Sequence, residues 1–72
     1  MQLRQFLKYF YENTDIKIIT TVGEGNDKKD VVLYAGTVFG IFSTSQFFNS
    51  ILDTNIKENS VVWFSKVATI YV

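Results

Sequence analysis

Leu3, Phe6, Leu7 and Phe10 fall at i, i+3, i+4 and i+7, while Arg4, Gln5, Lys8 and Glu12 lie off that stripe. This spacing predicts an amphipathic helix at the start of the chain. Asn13-Thr14-Asp15 predicts its end, because Asn tolerates the left-handed position past a helix C-terminus. From Asp15 to Val22 the apolar period changes to two. Ile16, Ile18, Thr20 and Val22 share one face, and Lys17, Ile19 and Thr21 share the other, as expected of a strand with one buried side. Gly23 to Lys29 carries no apolar residue and predicts the tip of a hairpin. Asp30 to Phe39 resumes strand character, with Val31, Leu33 and Ala35 expected on one side and Val32 and Tyr34 on the other. Gly36 and Gly40 predict a bulge, a bend or a strand exit near Thr37-Val38.

A second helix is expected from Ser43. Ser43 as N-cap and Gln46 three residues on form a capping box, with Phe42 and Phe47 as the hydrophobic staple around it. Phe47, Phe48, Ile51 and Leu52 supply the apolar face, and Asp53-Thr54-Asn55 ends it. If Phe47 is fully buried, Phe47→Ala costs roughly 3–5 kcal/mol. After a largely polar stretch from Ile56 to Ser60, Ser60–Phe64 and Val67–Val72 are rich in β-branched and aromatic residues. Ser65-Lys66 is then the turn of a second hairpin, although it is not a favoured glycine-containing pair. A single bent strand is the competing reading.

The element order α-β-β-α-β-β predicts a small α+β domain spanning residues 1–72. Two amphipathic helices and two hairpins are best accommodated by a four-stranded, mostly antiparallel sheet with both helices on one face. Seventy-two residues make one domain with a thin core. Seven Phe, four Tyr and one Trp therefore have a stabilising task before any other.

Seven basic and seven acidic residues leave a formal net charge of zero, which gives no global steering toward nucleic acid or anionic membrane. No apolar run approaches the ~20 residues of a membrane-spanning helix. Met1 to Asn13 lacks the pattern of a signal peptide. The absence of cysteine excludes disulfides and thiolate metal sites and suits a reducing compartment, so a cytoplasmic location is expected.

Histidine is absent as well, which removes Ser-His-Asp and Cys-His catalysis. The carboxylates Glu12, Asp15, Glu24, Asp27, Asp30, Asp53 and Glu58 sit at expected turns and element ends, where caps and solvated loops account for them. Asp27 and Asp30 lack the dense oxygen pattern of a Ca²⁺ loop. Gly23-Glu24-Gly25-Asn26 lacks the Gly-Lys-Ser/Thr end of a phosphate loop. These residues predict no enzyme, no metal and no cofactor.

The apolar residues are in excess of what one sheet face can absorb. If Ile16, Ile18, Val31 and Leu33 face the helices, then Ile19, Val32 and Tyr34 lie opposite them. Val62 and Phe64 alternate with Val61 and Trp63 in the same way. Open faces of antiparallel sheets in monomers are usually polar. An apolar second face predicts a buried interface, most simply a symmetric homodimer, with Ile19, Val32, Tyr34, Val62 and Phe64 as interface candidates. The alternative is a single-stranded nucleic-acid platform on which Tyr34, Trp63 or Phe64 stack bases. A small-ligand pocket between helices and sheet is a third possibility.

The N-terminal helix (Leu3, Phe6, Leu7), Thr14-Asp15-Ile16-Lys17-Ile18, Leu33-Tyr34-Ala35-Gly36 and the stretch Ile70-Tyr71-Val72 together resemble short proteins encoded by phages, prophages and mobile elements of Gram-positive bacteria. Ser65-Lys66 departs from that pattern, which has an acidic turn before the last strand. The resemblance carries no catalytic motif. It implies an accessory protein of a mobile element, a setting in which small proteins often bind and block a host protein.

Overall fold

The computed structural model describes residues 1–57 and 61–72. The expected start of the third strand at Ser60 and the expected solvent exposure of Glu58 lie outside the described residues. The elements are α1 (Leu3–Phe6), which tightens into a 3₁₀ turn at Leu7–Tyr9, β1 (Asp15–Val22), β2 (Lys29–Thr37), α2 (Val38–Ser43), α3 (Ser45–Leu52), β3 (Val61–Phe64) and β4 (Val67–Tyr71). The strands form one sheet in the order β2-β1-β4-β3. Two antiparallel hairpins, β1–β2 and β3–β4, are joined by a parallel β1–β4 pairing in which Ile16 lies beside Ala68 and Ile18 beside Ile70. The result is an α+β domain with a mostly antiparallel sheet.

All three helices cover the same sheet face. Leu3 and Leu7 from the N-terminal segment, Val38 and Ile41 from α2 and Leu52 from α3 close over Ile16, Ile18, Ala68, Ile70 and Val72. The N-terminal stripe behaves as its spacing predicts. Leu3 and Leu7 are fully buried, and Phe6 and Phe10 meet edge to face at 5.2 Å on its margin. The Leu3 N–H donates to the Thr54 carbonyl at 2.9 Å, and the Arg4 guanidinium donates to Asp53 Oδ1 and Asn49 Oδ1, each at 3.0 Å. These contacts moor the start of the chain to the end of α3.

The expected second helix is α3, which begins at Ser45 with Thr44 as its N-cap, one residue beyond the expected Ser43 and without a side-chain cap bond. An unexpected helix precedes it: the chain leaves β2 at Thr37 and turns directly into α2, whose N-cap is Thr37. The Thr37 hydroxyl accepts from the Gly40 N–H at 3.0 Å, while the Val38 and Phe39 N–H groups donate to the Thr14 and Glu12 carbonyls. All the N–H donors left over in the first turn of a helix need partners of this kind. Ser43 and Thr44 bond backwards instead, both hydroxyls donating to the Gly40 carbonyl. Side-chain competition of this sort disturbs a helix, and the helical run breaks at Thr44 before α3 begins. Phe47 consequently faces solvent at 72% exposure, and the core residues of α3 are Leu52, with Phe48 and Ile51 at its edge. The expected large cost of Phe47→Ala therefore does not hold.

The Ser65-Lys66 turn is a genuine two-residue hairpin. Phe64 pairs with Val67 across it, and Ser65 and Lys66 take φ of 50° and 68°. Positive φ at both central positions is the mirror-image turn that matches strand twist.

Candidate functional site

Strand alternation decides which side chains stand on the face that the helices leave uncovered. On β1 these are Asp15, Lys17, Ile19 and Thr21, since Ile16 and Ile18 point into the core. Cross-strand partners share a face, so β4 contributes Val67, Thr69 and Tyr71, β3 contributes Val62 and Phe64, and β2 contributes Ala35 and Val32. Val62 is 54%, Val32 52% and Phe64 75% exposed. Ile19, also on this face, is nearly buried because Tyr71 flanks it on β4 and Val32 on β2. Four of the five expected interface residues, Ile19, Val32, Val62 and Phe64, thus share one open surface. Tyr71, Val67 and Lys17 join them. Their membership was legible in the alternation of Val67–Tyr71 and of Asp15–Val22.

Tyr34 is the exception, and a β-bulge is the reason. Ile18 pairs with Tyr34, but Ile19 pairs with Val32, so Leu33 is an extra residue on β2. One inserted residue reverses which face the rest of the strand presents. Tyr34 therefore turns inward beneath α3, where its ring meets Phe48 edge to face at 5.1 Å. Its hydroxyl donates to the Thr37 carbonyl at 2.7 Å, and partial burial pushes the phenol pKa up from its ordinary value. The room for that hydroxyl comes from two missing side chains. A Cβ at Gly36 would lie 2.7 Å from it, and one at Gly40 would collide with it.

The three aromatics offered as alternatives for base stacking do not share a surface. Tyr34 is under α3. Trp63, opposite the buried Ala68, lies on the helical side with its ring 5.8 Å from that of Phe10. Phe64 alone among them stands on the open face.

The charges on the open face have both signs. Lys17 lies between Thr69 and Ala35, and Asp15 is two residues away on the same strand. At the far end Thr21 Oγ1 donates to Asp30 Oδ1 at 3.0 Å.

In the helical layer, a groove of about 430 Å³ runs between the N-terminal segment and α2. Leu7, Phe10, Val38, Phe39 and Phe42 line it, with Lys8 and Glu12 at the rim. It lies between helical segments, whereas the pocket expected from the sequence lies between helices and sheet. At the β1–β2 tip, Gly25–Asp27 forms a short 3₁₀ turn, with Gly23 at φ 98° and its Cα too close to the Asp27 carbonyl for a side chain. Among the described residues no group of three or more His, Cys, Asp or Glu side chains is placed to hold a metal ion. Among those residues, no helix is long and apolar enough to cross a membrane.

No protein-family model, no curated protein and no solved structure matches this chain.

Proposed function

We propose that this chain is a non-enzymatic protein-interaction module, a homodimeric, cytoplasmic accessory protein of a phage or mobile element that binds a host protein. A second copy packs on the uncovered sheet face. The observation that carries the reading is the apolar surface of Val32, Val62, Phe64, Val67 and Tyr71, with Ile19 nearly buried among them, on the side the helices leave bare.

Size and charge both favour a second copy there. Strand residues about 3.3 Å apart along strands spaced about 4.8 Å, over β1, β2 and the shorter β3 and β4, give a face of roughly 400 Å² in projection. Side chains standing on it raise the accessible area toward the ~800 Å² per partner of a standard interface. Because the face carries Lys17 together with Asp15 and Asp30, it offers both signs of charge, so a two-fold arrangement that sets Lys17 of one copy against an aspartate of the other pairs unlike charges. A nucleic-acid surface needs a single positive sign. A net charge of zero adds no long-range repulsion between copies.

Sedimentation equilibrium over a range of concentrations tests this. The wild type is expected well above its monomer mass of 8.3 kDa, and Val32→Glu is expected to lose the face-to-face contact. A wild type that stays at the monomer mass into the millimolar range overturns it. Host binding is tested by nuclease-treated capture from a Gram-positive lysate followed by reconstitution of the purified pair. Partners that are lost on nuclease treatment would favour the nucleic-acid reading.

A further inference from the structure

The two edges of the sheet are built differently. Edge strands in stable monomers are blunted by charges, prolines or bulges, because their free N–H and C=O groups recruit other strands. β2 has such protection, with Lys29 and Asp30 at its start and the Leu33 bulge in its middle. β3, the other edge, has only its shortness. Val61-Val62-Trp63-Phe64 is uncharged, contains no bulge, and exposes Val62, Trp63 and Phe64 by more than half.

The hairpin register tells which backbone groups are free. In a two-residue hairpin the residues flanking the turn exchange both hydrogen bonds, and bonded pairs alternate along the ladder. Phe64 and Val62 are therefore spent on Val67 and Thr69. The N–H and C=O groups of Val61 and Trp63 point out from the sheet, and no backbone partner for them is found among the described residues.

We infer that β3 is a strand-addition site and that its occupant is the β3 of a second copy, paired antiparallel about a two-fold axis through Val62. In that register Val62 lies opposite its own equivalent and Val61 lies opposite Trp63 of the second copy. The four outward N–H groups of the two strands then meet the four outward C=O groups. Opposed residues share a face, so the helices of both copies lie on one side of a continuous eight-stranded sheet. β-Branched and aromatic pairs of this kind are favourable across strands. A second copy suits so short an edge better than a free peptide does. Its strand arrives already twisted and held in a hairpin, so ordering it costs little. The seam also joins the two open faces through Val62 and Phe64, which makes one larger apolar surface. The inference takes from the proposed self-association only that a second copy is the occupant. With both contacts made, the assembly is a dimer of dimers.

Trp63→Pro tests it, with Trp63→Val as the control. Both variants lose the indole, but only proline removes the outward N–H, and on the solvent side of an edge strand proline leaves the β4 ladder intact. Trp63→Pro is expected to halve the assembled mass in sedimentation, while Trp63→Val retains it. Val32→Glu is expected to halve it independently, and the Val32→Glu/Trp63→Pro double variant to be monomeric. A Trp63→Pro protein with the wild-type mass overturns edge pairing, whatever Val32→Glu does. Amide hydrogen exchange on the wild type decides the matter without a variant. Trp63 and Val61 amides that become protected as concentration rises support pairing, and amides that exchange at the free-strand rate at every concentration overturn it.

Discussion

Two residues hold conformations that their side chains do not favour. Ser65 and Lys66 both sit at positive φ without being glycine or asparagine, and such positions cost non-glycine residues roughly 1–2 kcal/mol each. Lys66→Gly is therefore expected to stabilise the domain by about 1 kcal/mol, as measured by urea unfolding. Tyr34 works in the opposite sense, as a residue whose neighbours were shaped for it. Its phenol is raised above the ordinary value near 10 by burial. The neutral form is thus favoured by folding. Its contribution is fully present below about pH 10 and is lost as pH rises through the higher folded value. Alkaline melting curves should show this loss, and Tyr34→Phe should remove that part of the pH dependence. The inward turn of Tyr34 was not legible in the sequence. Val31-Val32-Leu33-Tyr34 is an unbroken apolar run, so nothing in it marks where alternation slips. The bulge is fixed instead by pairing with β1.

Among the elements, β1 and the hairpins were the most legible. Period-two alternation survives in β1 and β4, and the polar Gly23–Lys28 segment separates β1 from β2 without ambiguity. The helices were harder to place, because Ser43-Thr44-Ser45 marks the start of α3 to within a residue, but no start signal announces α2 before it. Hydroxyls there satisfy the carbonyl of the preceding turn, and the start of α2 is set by the Thr37 hydroxyl together with the Thr14 and Glu12 carbonyls, distant in sequence, which accept from Val38 and Phe39. The consequence is measurable on α3. Phe47→Ala should change stability by no more than about 0.5 kcal/mol, as expected for an exposed site. Leu52→Ala, at a fully buried position, should cost about 2–5 kcal/mol. Equal effects at the two positions would mean that α3 is rotated about its axis. The Arg4–Asp53 ion pair that tethers α1 to α3 is largely solvated, and its contribution is modest.

For the whole molecule, the imbalance between its two sheet faces dominates. One face is covered by three short helices and the other, among the described residues, by none, so the folded monomer leaves apolar side chains such as Val32, Val62 and Phe64 in water. The proposed association would add directly to stability. The melting temperature is expected to rise with protein concentration, as it does wherever copies bind the native state alone. Val32→Glu should abolish that dependence in proportion to the association it removes, and differential scanning calorimetry at two concentrations suffices to see it. The apolar excess behind this was legible in the sequence, because it follows from strand parity and composition. The contrast between guarded and unguarded edges was not, since it depends on which strands end up outermost.

The strand order β2-β1-β4-β3 also bears on how the chain is made. β1 is followed directly by its neighbour β2, but its other neighbour, β4, is synthesised some fifty residues later. As the chain leaves the ribosome, β1 and β2 can pair at once by a local turn. The other flank of β1 stays bare, and Ile16 and Ile18 wait for Ala68 and Ile70 to cover them. Closing the sheet needs contacts between residues some fifty positions apart, the kind of long-range pairing that slows folding. The domain is thus completed from its middle, and the sheet cannot close until β4 has cleared the exit tunnel.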